Sequence, residues 1–150
     1  MILRSLIWVM LLSAATACAA AGWPKPDGDQ GDALLRADQA FQMMPAQHEG
    51  HGVKLEWVIA PGYFMYRNRI HADIVKAGGT HPVALQLPAA QPYNEAGTGI
   101  VHVYRNDLSA TFQVPAGTDL RRLRVRYQGC SDSGVCYPPQ TRILNLKNNP

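Results

Sequence analysis

The sequence predicts an all-β protein, an immunoglobulin-like antiparallel β-sandwich. Short apolar segments alternate with polar positions at a period of two, the pattern of half-buried strands. Turn signals recur roughly every ten residues, and no long segment sustains a period of 3.6. A chain of 150 residues fits one domain plus a leader. With 47% hydrophobic and 17% charged residues, the composition is globular rather than disordered.

The elements follow in order. Residues 1–21 are expected to be an export signal: a basic start through Arg4, an apolar run from Leu6 to Ala15, and small-residue cleavage sites at Ala17-Cys18-Ala19 or Ala19-Ala20-Ala21. The run is too short to span a bilayer comfortably, and no other stretch comes close. Cys18 is an alternative lipid-attachment site, although Ala15 stands where a lipoprotein usually has leucine. The formal charge of +3 includes Arg4, so the remainder is near neutral and charge alone points to neither nucleic acid nor an anionic membrane. Residues 22–34, rich in Gly, Pro and Asp, are expected to form an irregular arm, and residues 35–150 the domain.

Ala33 to Phe41 fit either a helical turn or an edge segment. Val53, Leu55, Trp57 and Ile59 alternate with Lys54, Glu56 and Val58 on a strand that ends at the Pro61-Gly62 turn. Phe64, Tyr66, Asn68, Ile70 and Ala72 continue the alternation as a second strand. Further strands are expected at 82–88 ("PVALQLP"), at 99–107 and 109–115 around an Asn-Asp turn, and at 141–147. Between them, Leu123, Val125 and Tyr127 face one way and Arg122, Arg124 and Arg126 the other. That places "YQGCSDSGVCYPPQ" on the connection between the last two strands, exposed at one end of the sandwich.

This connection holds Cys130 and Cys136, the two cysteines left after cleavage past Cys18. An even count in an exported chain implies a compartment where disulfides form. As a staple the pair is weak: closing seven residues restricts the unfolded chain by roughly 2.4 kcal/mol, against nearly 5 for about a hundred residues. As a redox couple it needs a sulfur that an incoming thiolate can reach. Gly129 and Gly134 give the backbone freedom for that, Pro138 and Pro139 stiffen the exit, and Asp132 disfavours a thiolate by like-charge repulsion. Two thiols six positions apart with no histidine nearby make a poor zinc site, since structural zinc takes four ligands. Staple and couple both stand on these grounds.

The loop "YQGCSDSGVCYPPQT" resembles the active loop of the N-terminal periplasmic domain of the thiol:disulfide interchange protein DsbD. "ADQAF" (37–41), "PGYFMYRNRI" (61–70) and, more loosely, "VYRNDL" (103–108) agree, so the resemblance covers about residues 35–148. It implies an immunoglobulin-like domain that relays reducing equivalents, a protein-disulfide reductase needing no metal or organic cofactor. The implied partners are periplasmic thioredoxin-fold proteins of the disulfide isomerase or cytochrome c maturation type. Carried over by position, Cys136 forms the mixed disulfide with partners and Cys130 resolves it; Phe64 and Tyr66 line the site, and Tyr137 follows the second cysteine. The family shields its cysteines with a cap loop bearing an aromatic residue. A gap-free alignment backward from Tyr104 puts Gly97 at that position, with Tyr93 the aromatic of a shifted loop and Glu95 an acidic cap residue. The family continues into a membrane domain and a thioredoxin domain whereas this sequence stops at Pro150, which implies a separate, membrane-linked electron donor and a monomeric periplasmic domain.

Two further readings come from other classes. One is a non-catalytic periplasmic β-sandwich binding module with a structural disulfide. The other is a copper module, because "MMPAQHEGH" (43–51) combines thioether and imidazole groups, although it also reads as a plain polar loop. "RRLRVR" (121–126) reads as a solvated strand face, or as a surface for an acidic partner. His71, His81 and His102 are scattered, and no paired-carboxylate, Ser-His-Asp or phosphate-loop pattern occurs.

Overall fold

The computed structural model describes residues 33–118 and 120–146; the expected leader and nearly all of the arm lie outside them. The chain divides into two units at Leu34, and the sandwich is the unit that begins there. Its fold is immunoglobulin-like and antiparallel, as the sequence predicts.

A single helical turn, α1 (Ala37–Ala40), leads directly into β1 (Phe41–Met43), so both readings of this stretch hold, one after the other. β2 (Gln47–Glu49) and β1 pair with opposite ends of β3 (Gly52–Ile59), whose other edge pairs with β9 (Asp107–Gln113). A second sheet runs β12 (Gln140–Asn145), β10 (Arg122–Tyr127), β5 (His71–Lys76), β6 (Gly79–Val83). The two sheets share the main core. Val53, Leu55, Trp57, Ile59, Leu108, Ala110 and Phe112 come from one, and Ala72, Ile74, Leu123, Val125 and Tyr127 from the other. Trp57 meets Tyr127 edge-on, with ring centroids 5.9 Å apart. The alternation read in β3 and β10 therefore selects the buried faces.

A third sheet, β11 (Gly129–Ser131), β4 (Tyr63–Tyr66), β8 (Gly99–Tyr104), β7 (Gln91–Glu95), positions the cysteines. β4 is buried on both faces. Tyr63 and Met65 enter the main core, while Phe64 joins Val103 and Cys130 in a second, smaller cluster edged by Tyr66, Tyr93 and Val101.

Four expectations need correction. The second strand does not run through to Ala72: a 3-10 turn at Arg67–Arg69 carries the chain from the third sheet to the second. Period two persists across the break because Phe64 faces the small cluster and Ile70 and Ala72 the main core, and parity cannot tell two cores apart. The segment 82–88 is not a strand of its own. Pro82 lies near the end of the edge strand β6, where its missing amide is tolerated, and beyond that strand only Gln86 bridges to Thr111. The cap stretch is not a loop but β7, hairpin-paired with β8. Finally, Cys130 is not in an exposed connection: β11 pairs it with Phe64 inside the third sheet.

Candidate functional site

Residues directly opposite in an antiparallel pair share a face. The registers Cys130↔Phe64, Tyr66↔Val103 and Tyr93↔Val101 therefore set Cys130, Phe64, Tyr66, Val101, Val103 and Tyr93 on one face of the third sheet. Glu95, two residues beyond Tyr93, projects from the same face. The geometry thus gathers Cys130, Phe64, Tyr66, Tyr93 and Glu95 from three separate stretches of sequence.

Cys130 and Cys136 form a disulfide across an antiparallel bridge, with Cα atoms 4.0 Å apart. The two sulfurs differ in access. Cys130 is 1% exposed, whereas Cys136 is exposed. The tight loop between them is built from its own polar groups. Ser131 N–H donates to Val135 O (2.9 Å), Gly134 N–H to Ser131 O (3.0 Å), and the Ser131 and Ser133 hydroxyls stand 2.8 Å apart. Gly134 has a φ of 86°, which L side chains rarely adopt.

Tyr66 stands beside the bond. Its Oη lies 3.2 Å from Cys130 Sγ and 3.9 Å from Cys136 Sγ, and its hydroxyl donates to Glu95 Oε1. Burial pushes the phenol up to about 12, and the hydrogen bond to Glu95 adds to the shift. Tyr66 is therefore a neutral donor throughout the physiological range. The Glu95 carboxylate and both sulfurs lie within 4.8 Å of one another, a group of candidate metal ligands among the described residues. A cavity of about 230 Å³ opens beside Cys136, lined by Tyr66, Asn68, Arg69, Glu95, Val101 and Gln128 among others.

Phe64 and Tyr93 pack ring to ring, with centroids 4.8 Å apart, so Tyr93 is the aromatic that the hairpin brings to the cysteine cluster. Gly97 instead lies in the hairpin turn, with a φ of 81°. Tyr137 is placed elsewhere. Its ring packs on Phe41 and Tyr63, and its hydroxyl donates to Leu35 O, while Leu35 N–H donates to Tyr63 Oη at 2.8 Å. Burial, helped by the neighbouring Tyr63 phenol, pushes the Tyr137 phenol up to about 12. Its place is in the anchor of the domain's first residues.

Arg105 escaped the sequence reading. Its guanidinium stacks over Phe64 and Tyr93, 5.0 and 5.4 Å from the ring centroids, and forms a two-pronged pair with Asp132 (2.8 and 3.0 Å). Asp132 is thus compensated rather than a bare charge beside the sulfurs, which corrects the repulsion expected from sequence. The available signal was the "VYRNDL" match, which carries Arg105 at the end of a strand but says nothing of its partners. The other features fall outside this site. Met43 packs against the main core, and Arg124 and Arg126 are both tied to the buried Asp73.

The profile of the family described as "Thiol:disulfide interchange protein DsbD, N-terminal" matches residues 31–148. The chain belongs to the DsbD N-terminal family. It is 36% identical over 113 residues to the thiol:disulfide interchange protein DsbD of Cronobacter sakazakii, covering 75% of this chain and 19% of that protein. It is 34% identical over 154 residues to DsbD 1 of Pseudomonas aeruginosa, covering 95% of this chain and 25% of that protein. The chain therefore spans about a fifth to a quarter of these curated relatives. Among solved structures, the complex between the DsbD N-terminal and PilB N-terminal domains of Neisseria meningitidis aligns with a TM-score of 0.65 at 25% identity, covering 79% of this chain and 91% of that one. The reduced DsbD N-terminal domain of the same organism gives 0.63 at 23% identity, covering 78% and 92%, a likeness of fold.

Proposed function

We propose that this domain is a thiol–disulfide oxidoreductase module that passes reducing equivalents to disulfides of thioredoxin-fold proteins in the periplasm. The observation that carries this reading is the unequal access of the two sulfurs. An exposed Cys136 suits attack by or on a partner, and a buried Cys130 behind it suits release of the partner once it is bound. A structural staple needs neither asymmetry nor a polar group poised at the sulfurs.

In the reduced state the Cys136 thiolate attacks one sulfur of the partner's disulfide. That bond breaks, the partner's second sulfur leaves as a thiolate and takes up a proton, and a mixed disulfide remains. The Cys130 thiolate then attacks Cys136 Sγ, the partner's first sulfur leaves and is protonated, and the Cys130–Cys136 bond forms. Two electrons and two protons pass to the partner, and a donor dithiol restores the starting state. In the reduced state Tyr66 Oη accepts from the Cys130 S–H, while the Tyr66 hydroxyl keeps its own proton and donates it to the Glu95 carboxylate. The negative charge of Glu95 favours the thiol over the thiolate until a partner covers the site. Phe64, Tyr93 and Arg105 pack together on the face of the third sheet that carries Cys130, tying its β7–β8 half to the cysteine side. The Neisseria complex with the PilB N-terminal domain supports a protein partner at this kind of domain, and the sequence of residues 1–21 supports export.

The test is equilibration of the Cys130–Cys136 pair against thioredoxin or glutathione, followed by trapping with Cys130→Ala. Ready equilibration and accumulated periplasmic mixed disulfides through Cys136 are expected. A pair that resists reduction, or a Cys130→Ala variant that captures nothing, would overturn the proposal.

A further inference from the structure

We infer that the reduced cysteine pair and Glu95 together form a binding site for a thiophilic divalent cation, zinc in the first instance. In sequence the two thiols stand alone and fall short of a zinc site. Folding supplies a third donor from the β7–β8 hairpin, whose carboxylate oxygen and both sulfurs lie within 4.8 Å of one another. Ligand atoms bonded to zinc at about 2.3 Å in tetrahedral geometry stand roughly 3.8 Å apart. Once reduced, the two sulfurs must part to that spacing by side-chain rotation, and the carboxylate must close in by about 1 Å at most.

The surroundings fit the charge and the coordination. One zinc ion with two thiolates and one carboxylate carries a net negative charge, and Arg69 lines the same cavity. The cavity of about 230 Å³ beside Cys136 admits water to a fourth position, giving three protein ligands and one exchangeable site. The Tyr66 hydroxyl, bonded to Glu95, orients that carboxylate toward the sulfurs, as an outer-shell partner does at metal sites.

Binding is gated by oxidation state. Reduction delivers two electrons and two protons to the disulfide; zinc then displaces the two thiol protons, and no electron moves. The oxidised pair offers no thiolate. An occupied site withholds both thiols from exchange, so zinc competes with any disulfide partner. This inference rests on a reducible Cys130–Cys136 bond and not on the relay reading, and a thiol count after reduction separates the two.

The experiment uses the chain carrying Cys18→Ser, reduced with dithiothreitol, freed of reductant without oxygen and counted for thiols. Zinc is then titrated against a chromophoric chelator, with iodoacetamide alkylation as a second readout. One zinc per chain, protection of both thiols, and affinity that weakens as pH falls and protons compete for the thiolates are expected. Glu95→Gln should weaken binding at least tenfold, since even an outer-shell partner is worth about 10–100-fold. Equal binding by the oxidised protein or by Cys130→Ala/Cys136→Ala would place the metal elsewhere and overturn the inference. So would unchanged affinity in Glu95→Gln, or alkylation at the same rate with zinc present. The comparison of oxidised with reduced protein needs no substitution at Glu95, so it decides even if that variant folds poorly.

Discussion

Gly129 opens β11, paired with Met65 of β4. A Cβ there would meet the Phe41 ring at 2.6 Å and would also collide with the Phe64 carbonyl oxygen. Neither neighbour is a flexible chain end, so overpacking at this point moves backbone or a core ring. Gly129→Ala is expected to destabilise the fold by about 3 kcal/mol, the upper end for small-to-large changes, and urea unfolding measures it. Tyr66 carries the pH prediction. Its folded-state pKa is raised from 10.0 to about 12, so its protonated form contributes stability that is complete below pH 10 and is lost as pH rises toward 12. The stability advantage of the native protein over Tyr66→Phe in alkaline unfolding should therefore shrink across that window, the native protein losing stability faster. A constant difference between the two across pH 10–12 would show that the phenol is not held in this way.

At the scale of elements, the site depends on the β7–β8 half of the third sheet keeping its place beside β4 and β11. Arg105 touches both: it lies on the rings of Phe64 and Tyr93 and pairs with Asp132 in the cysteine loop. Its side chain is partly exposed, so the pair with Asp132 is screened and the ring contacts carry much of its worth. Arg105→Ala is expected to cost about 1 kcal/mol of global stability. Its larger effect should be local, as faster amide exchange in 93–103 and 130–135 than in β3 or β10. Uniform acceleration across the domain would instead mark Arg105 as a general stabiliser. This clamp was not legible in the sequence, because Arg105 and Asp132 are far apart in the chain and neither has a pattern that announces the other. By contrast, the faces of β3 and β10 were legible residue by residue, since strict alternation states which side chains are buried.

For the molecule as a whole, the division into two cores sets the consequences of reduction. Cys130 belongs to the small cluster with Phe64 and Val103, apart from the main core around Trp57 and Tyr127. The bond closes a short loop, with a sequence separation of 6. Reduction should therefore lower unfolding stability by roughly 2.4 kcal/mol, the chain-entropy value for such a loop, with a nearly unchanged urea m-value. Denaturation with and without reductant tests this. A collapse of the native state on reduction would make the disulfide a structural requirement and count against a relay that must work in both states.

The sequence alone determined the fold class, the buried faces of β3 and β10, and the loop that carries both cysteines, because alternation, turns and a contiguous motif are local properties of the chain. It did not determine that β4 feeds two cores, that Cys130 is buried while Cys136 is exposed, or that Arg105 clamps the site; Tyr66 and Glu95 were placed beside the cysteines only by the family resemblance, not by the local pattern. Those follow from strand pairing between distant segments. Pairing partners are chosen by the packing of the whole, and local periodicity carries no label for which of two cores a side chain will enter.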